Sequence, residues 1–156
     1  MGAAEYTTIA TGTTVAAAFN DAVEQAGWED GYEYSGTISM KASYGYVFEG
    51  EAPGTIDIRN FQRLAEDVAE WQTAGEWFST KNVDGEWKTT RHTNDPRKHA
   101  GVTGRFLTDR MVARMTDKWA AATAFQLKGK RLAEYKARNN VPRGHKVFVF
   151  TGLASE

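Results

Sequence analysis

The chain has 156 residues, 41% of them hydrophobic and 25% charged, with a net charge of −1 and no cysteine. That length suffices for one domain with one proper core, and the missing cysteines exclude a disulfide framework, a thiolate nucleophile and a cysteine-type zinc site. No run is apolar enough to span a membrane, and the start lacks the basic and apolar regions of a secretory signal, so a soluble, cytoplasmic protein is expected.

The near-neutral total hides a division. Residues 1–76 carry three basic side chains against thirteen acids, and residues 77–156 carry sixteen against seven. Such asymmetry marks either a nucleic-acid or acidic-partner face, or two halves that neutralise each other within one fold.

In chain order, EYTTIA at 5–10 suits a first strand, being rich in aromatic and β-branched residues. Gly12 breaks it, and Thr13 or Thr14 can cap a helix whose apolar stripe is Val15, Phe19, Ala22, Val23 and Ala26. Gly27 is the expected stop. The TGTT turn before this helix could seat a phosphate, but it has no P-loop lysine.

Residues 34–41 (YSGTISMK) and 46–49 then predict two strands around a turn near Tyr44–Gly45. Glu29, Asp30 and Glu33 lack the regular alternation of a cation-binding loop, so no metal is expected there. Trp28, Tyr32 and Tyr34 crowd the same segment. These residue types anchor binding surfaces, and they are candidates for one here.

A brief strand is expected over 55–58. Asn60 should cap a second helix lined by Phe61, Leu64, Ala65, Val68 and Trp71 or Gln72, with Gly75 closing it. Asp84-Gly85 between Trp77, Phe78, Thr80 and Trp87, Thr89 predicts a hairpin. Residues 91–99 read as a polar, basic loop. A third helix is expected over 104–118, with Phe106, Leu107, Met111, Met115 and Trp119 as its buried row, then a strand over 121–127. A short helix around 132–137 follows. HKVFVFT at 145–151 reads as a central strand covered on both faces.

No nucleotide-binding, hydrolase or metalloprotease signature is present, and no cofactor is implied. One loop holds the residue types of phosphodiester chemistry: His92 or His99 as base, Asp95 to orient it, and Arg97 or Lys98 to steady a phosphate. A phosphoesterase or nucleotide-processing enzyme is therefore the alternative reading. Lys128, Lys130, Arg131, Lys136, Arg138, Arg143 and Lys146 are opposed in their span by Glu134 alone, the clustering that phosphate neutralisation requires. Trp77, Trp87 and Tyr135 could add stacking faces.

Residues 32–38 (YEYSGTI), Asp117-Lys118-Trp119 and 147–155 (VFVFTGLAS) together resemble a loose family of small accessory proteins of actinobacterial phages and plasmids. That family carries a helix, a GY-x-x-GTI-like turn and strand, a DKW element and a terminal aromatic strand ending in Gly-x-Ala-Ser. Ala120-Ala121 stand where its pattern has Gly-Pro. The resemblance implies a mobile-element accessory protein and brings no catalytic residue.

The expectation is thus a single α+β domain, a mostly antiparallel sheet of five to seven strands with two or three helices on one face. The expected function is non-enzymatic binding of a host protein or a nucleic-acid assembly, through Trp28–Tyr34 and through Lys128, Lys130, Arg131, Arg138 and Arg143. A minor virion or assembly component, visible as a stable oligomer, is a further alternative.

Overall fold

The computed structural model describes residues 2–54 and 57–156. In chain order its elements are β1 (Ala3–Gly12), α1 (Val15–Asp30), β2 (Tyr46–Glu51), α2 (Phe61–Ala74), β3 (Trp77–Val83), β4 (Glu86–His92), α3 (Pro96–His99), α4 (Asp109–Met115), β5 (Ala122–Gln126), α5 (Gly129–Arg138) and β6 (Lys146–Ser155). Two 3-10 turns, Ile38–Lys41 and Ile58–Asn60, lie between them. The fold is α+β with a mostly antiparallel sheet. The six strands divide into a four-stranded sheet, β1-β6-β5-β2, and a separate β3-β4 ribbon.

β6 is central, as its continuous apolar run requires. It pairs antiparallel with β1 from Ala3↔Ser155 to Gly12↔Lys146 and antiparallel with β5 on its other side. Its side chains alternate between two cores. Val147 and Val149 join Phe125, α2 and α4, where Phe61 meets Phe125 edge-on at 5.1 Å. Phe148 and Phe150 join Tyr6 and α1, where Phe19 lies 5.5 Å from Phe150. Helices therefore cover both faces of the sheet, not one. A strand apolar on both sides has no other way to leave water.

Several expected boundaries move, each for a local reason. Thr14 caps α1 by accepting from Ala17 N at 3.1 Å, but Gly27 lies within the helix, which runs on to Asp30 and ends at Gly31 (φ +85°). Residues 34–41 form no strand. The hydroxyls of Ser35, Thr37 and Ser39 hydrogen-bond one another and nearby backbone N–H groups, giving the chain a local alternative to a ladder. Thr55 and Ile56 of the expected 55–58 strand lie outside the described residues. Asp57 accepts from Arg59 N and starts the 3-10 turn instead. Asn60 occupies the cap position of α2 without a capping side-chain bond, while Gly75 (φ +74°) closes the helix as expected.

The helix expected over 104–118 shrinks to α4. Thr108 caps it by accepting from Met111 N, and the Thr116 hydroxyl bonds back to the Val112 carbonyl near its end. Asp117 then turns the chain by accepting from Trp119 N, and Trp119 is 48% exposed rather than buried. The hairpin is as predicted, its turn carried by Asp84 and Gly85 at φ +54° and +87°. Residues 91–99 are not one loop, since Arg91 and His92 end β4 and Pro96–His99 form α3. Among the described residues no helix is long and apolar enough to cross a membrane.

Candidate nucleic-acid interface

α5 carries no fully buried residue. It is held to the molecule by Leu132 and Tyr135, with Val141 just beyond, all partly buried against the α2–α4 core. This leaves Lys128, Lys130, Lys136 and Arg138 exposed, and Arg143 exposed in the loop that follows. Arg131 is half-buried and pairs with Glu134 at 3.5 Å. Among the described residues, none of the five exposed cations forms an ion pair.

The chain then turns through Pro142 and Gly144, with His145 N donating to the Pro142 carbonyl at 3.0 Å. A groove of about 470 Å³ opens there, lined by Lys136, Asn139, Asn140, Arg143 and His145 and by no acid. His145 Nδ1 sits 3.2 Å from Thr11 Oγ1, which fixes the imidazole against the end of β1. Asn139 Nδ2 donates to the Tyr135 carbonyl at 3.0 Å. Two full cations beside amide and imidazole donors make a seat for phosphate oxygens, with no feature that distinguishes one base from another. His145 joins this set although its sequence position, isolated from any partner, gave no sign of it.

The proposed stacking residues separate. Trp77 is 4% exposed and offers no free face, Tyr135 is partly buried against the α2–α4 core, and Trp87 is 73% exposed on the ribbon. The ribbon itself is almost wholly exposed beyond Trp77. Lys81 and Lys88 stand directly opposite each other on it, an arrangement that repels unless an anion lies across the pair.

The aromatic segment is as exposed as a contact surface needs: Trp28 is 82%, Tyr32 50% and Tyr34 51% accessible. Tyr34 is held in the left-handed region at φ +51°, uncommon for an aromatic residue.

The histidines of the alternative reading converge. Trp77 stacks on His92 at 4.2 Å, His99 lies 4.8 Å from His92 between ring centres, and Ser79 Oγ is 2.7 Å from His92 Nε2. Asp95 does not orient either ring. Its carboxylate caps α3 and binds the Arg97 guanidinium, which holds it below the usual carboxylate range despite partial burial. Arg97 also bonds Asp109 and the Leu107 carbonyl. Neither histidine lines the basic groove or the groove beside Asp95 and Arg97. No group of three or more metal-ligating side chains occurs among the described residues. Comparison with family models, curated proteins and solved structures returned no match.

Proposed function

We propose that this chain is a non-enzymatic accessory protein that binds nucleic acid through its sugar-phosphate backbone, using α5 and the loop from Asn139 to His145. The observation that carries this reading is the acid-free groove between Lys136 and Arg143, beside the exposed Lys130 and Arg138 of α5, which form no ion pair among the described residues. Phosphate neutralisation by such a surface is sequence-independent and releases counterions, so affinity falls steeply with salt. The sequence resemblance to phage and plasmid proteins supports a nucleic-acid assembly of such an element as the setting. The exposed Trp28, Tyr32 and Tyr34 suit a second contact with a host protein. The phosphoesterase reading is less well supported, because Asp95 is committed to Arg97.

Fluorescence anisotropy with a labelled 20-nucleotide single strand and the matching duplex, over a salt series, tests this. Lys136→Glu with Arg143→Glu should weaken binding at least tenfold and flatten the log–log salt slope by about two, near one per cation removed. Lys130→Glu with Arg131→Glu should act in the same direction. Absence of wild-type binding at low salt, or an affinity unmoved by these reversals, would overturn the reading. Retention of a nuclease-resistant host protein would then favour the aromatic segment.

A further inference from the structure

Four acids of the acidic half, Glu5, Asp21, Glu29 and Asp30, line a groove beside one unpaired sheet edge. β1 is the outer strand of its sheet, and its ten residues pair on one side only, with β6. Its other side faces a groove of about 570 Å³ that follows β1 from Glu5 to Thr11. One wall is the α1 stripe Asp21–Gln25–Glu29, continued by Asp30, and the other includes Tyr135. Thr7, Thr8, Ile9, Ala10 and Thr11 are half-buried there, so the edge is recessed rather than projecting.

Two observations point to an occupant. A long edge strand presents a row of backbone N–H and C=O groups ready to pair, and proteins ordinarily blunt such edges with proline, bulges or lysines. β1 has no proline, no lysine and an unbroken register with β6. Separately, the groove is lined by Glu5, Asp21, Glu29 and Asp30 and by no cation. Glu5 is already 3.4 Å from Arg63, but Asp21, Glu29 and Asp30 have no ion pair among the described residues.

We infer that the β1 edge accepts an extended, basic segment of a partner protein as an added strand. Main-chain hydrogen bonds to β1 supply the affinity. Lysines or arginines at alternate positions face the α1 acids, while the intervening side chains turn towards Tyr135. A second copy of this chain is the wrong occupant, because pairing two β1 edges would set each α1 acidic stripe against the other. The β1 groove adjoins the basic groove, with Asn140 lining both, but its acids and the β1 edge are no part of the phosphate seat, so the inference does not rest on nucleic-acid binding.

The test uses the full chain and fluorescein-labelled ten-residue Lys-Thr repeats, matching β1 in length, with Glu-Thr repeats as the control. The Lys-Thr peptide should bind and the Glu-Thr peptide should not. Asp21→Lys with Glu29→Lys, both on exposed positions of α1, should weaken binding at least tenfold. Because charge alone could produce these results, two further peptides carry N-methyl groups on one or the other alternate set of amides. Strand addition requires that one set abolish binding and the other leave it nearly unchanged. Equal binding of the two methylated peptides would overturn the inference. So would no binding of the parent peptide, or a sedimenting dimer that excludes it.

Discussion

The ring of Tyr32 folds back over Gly27, so close that a β-carbon on Gly27 would fall 2.1 Å from Tyr32 Cζ. Gly27 sits inside α1 with ordinary helical backbone, so its role is to give the ring room. The contact turns the chain back at the end of α1, just past the exposed Trp28. Gly27→Ala should therefore separate two effects. Helix propensity improves by up to ~1 kcal/mol, and Tyr32 is pushed off the helix at little expense because half of it already faces solvent. The melting temperature should hold or rise slightly. Amide exchange across residues 31–37 should quicken as the loop loses its anchor. Unchanged exchange would show that the Tyr32 contact does not hold the loop.

The β1–β6 seam gives a pair of substitutions with opposite expected signs. Tyr6 is 7% exposed, and its hydroxyl has no partner among the described residues. Burial pushes its ionisation above the ordinary tyrosine range. Opposite it in register stands Gly152, where a β-carbon would come within 2.8 Å of that hydroxyl. Thr151, one residue before, is fully buried with its hydroxyl 3.1 Å from the Tyr6 carbonyl and 3.0 Å from Gln62 Oε1. Tyr6→Phe removes an unsatisfied group and should leave stability unchanged or raise it by about 1 kcal/mol. Thr151→Val strands Gln62 Oε1 and should lower stability by about 1–3 kcal/mol. Urea denaturation of both variants measures this, and a large loss for Tyr6→Phe would reveal a hidden partner for the hydroxyl.

Periodicity and turn chemistry carried most of this architecture into view. β6 was legible because four consecutive apolar residues leave a strand no solvent face, and the Asp84-Gly85 turn because few other pairs accept two positive φ angles. Side chains that bond their own backbone were not legible. Ser35, Thr37 and Ser39 alternate as a strand would, yet their hydroxyls spend that pattern on local turns. Trp119 fell in helical phase with Met115, but Thr116 and Asp117 ended the helix before it. The 34–41 pattern places Lys41 at the end of a strand, yet it is 1% exposed, with Nζ donating to the Lys118 and Ala120 carbonyls at 2.9 and 2.7 Å. Nothing in a sequence distinguishes a buried lysine from a solvated one. Of the candidate sites, the basic cluster was visible as composition, but His145 and the β1 groove exist only through long-range pairing.

The acids near Glu5 predict a pH dependence. Burial first, and then the neighbouring Glu5 carboxylate, push Glu66 up to about 8; burial pushes Asp67 up to about 6. Arg63 opposes both shifts. A carboxyl whose folded pKa is raised binds its proton more tightly folded than unfolded. Its stabilising contribution is complete below the unfolded value, near 4.3 for glutamate, and is lost as pH rises through about 8. Stability should thus fall between roughly pH 4 and 8. Glu66→Gln should remove most of that slope and, at pH 8, exceed the wild type by on the order of 1–2 kcal/mol, after allowing for solvent screening. A variant with the parent's slope would mean that Glu66 titrates normally.

The remaining edge of the sheet carries a nearly buried ion pair. Glu49 on β2 and Arg114 on α4 are 14% and 12% exposed, and Arg114 Nη2 donates to Glu49 Oε1. Arg114 Nε also donates to Thr123 Oγ1 at 2.9 Å, so the guanidinium spans β5 to reach β2. The parallel β2–β5 pairing is short and interrupted between Phe48 and Glu51, and Tyr46 and Phe48 add ring contacts to Phe150 and Phe148 at 6.3 and 6.2 Å. Removing either partner leaves a nearly buried charge alone and should cost about 3 kcal/mol. Arg110, 3.9 Å from Glu49 but largely exposed, can replace little of this. Replacing both by methionine discards both desolvation penalties, so the double variant should be more stable than either single one. A double-mutant cycle in urea, with amide exchange on Tyr46–Phe48 as a local readout, decides the matter. Additive losses with unchanged exchange at β2 would mean that its ladder and ring contacts hold the strand without the ion pair.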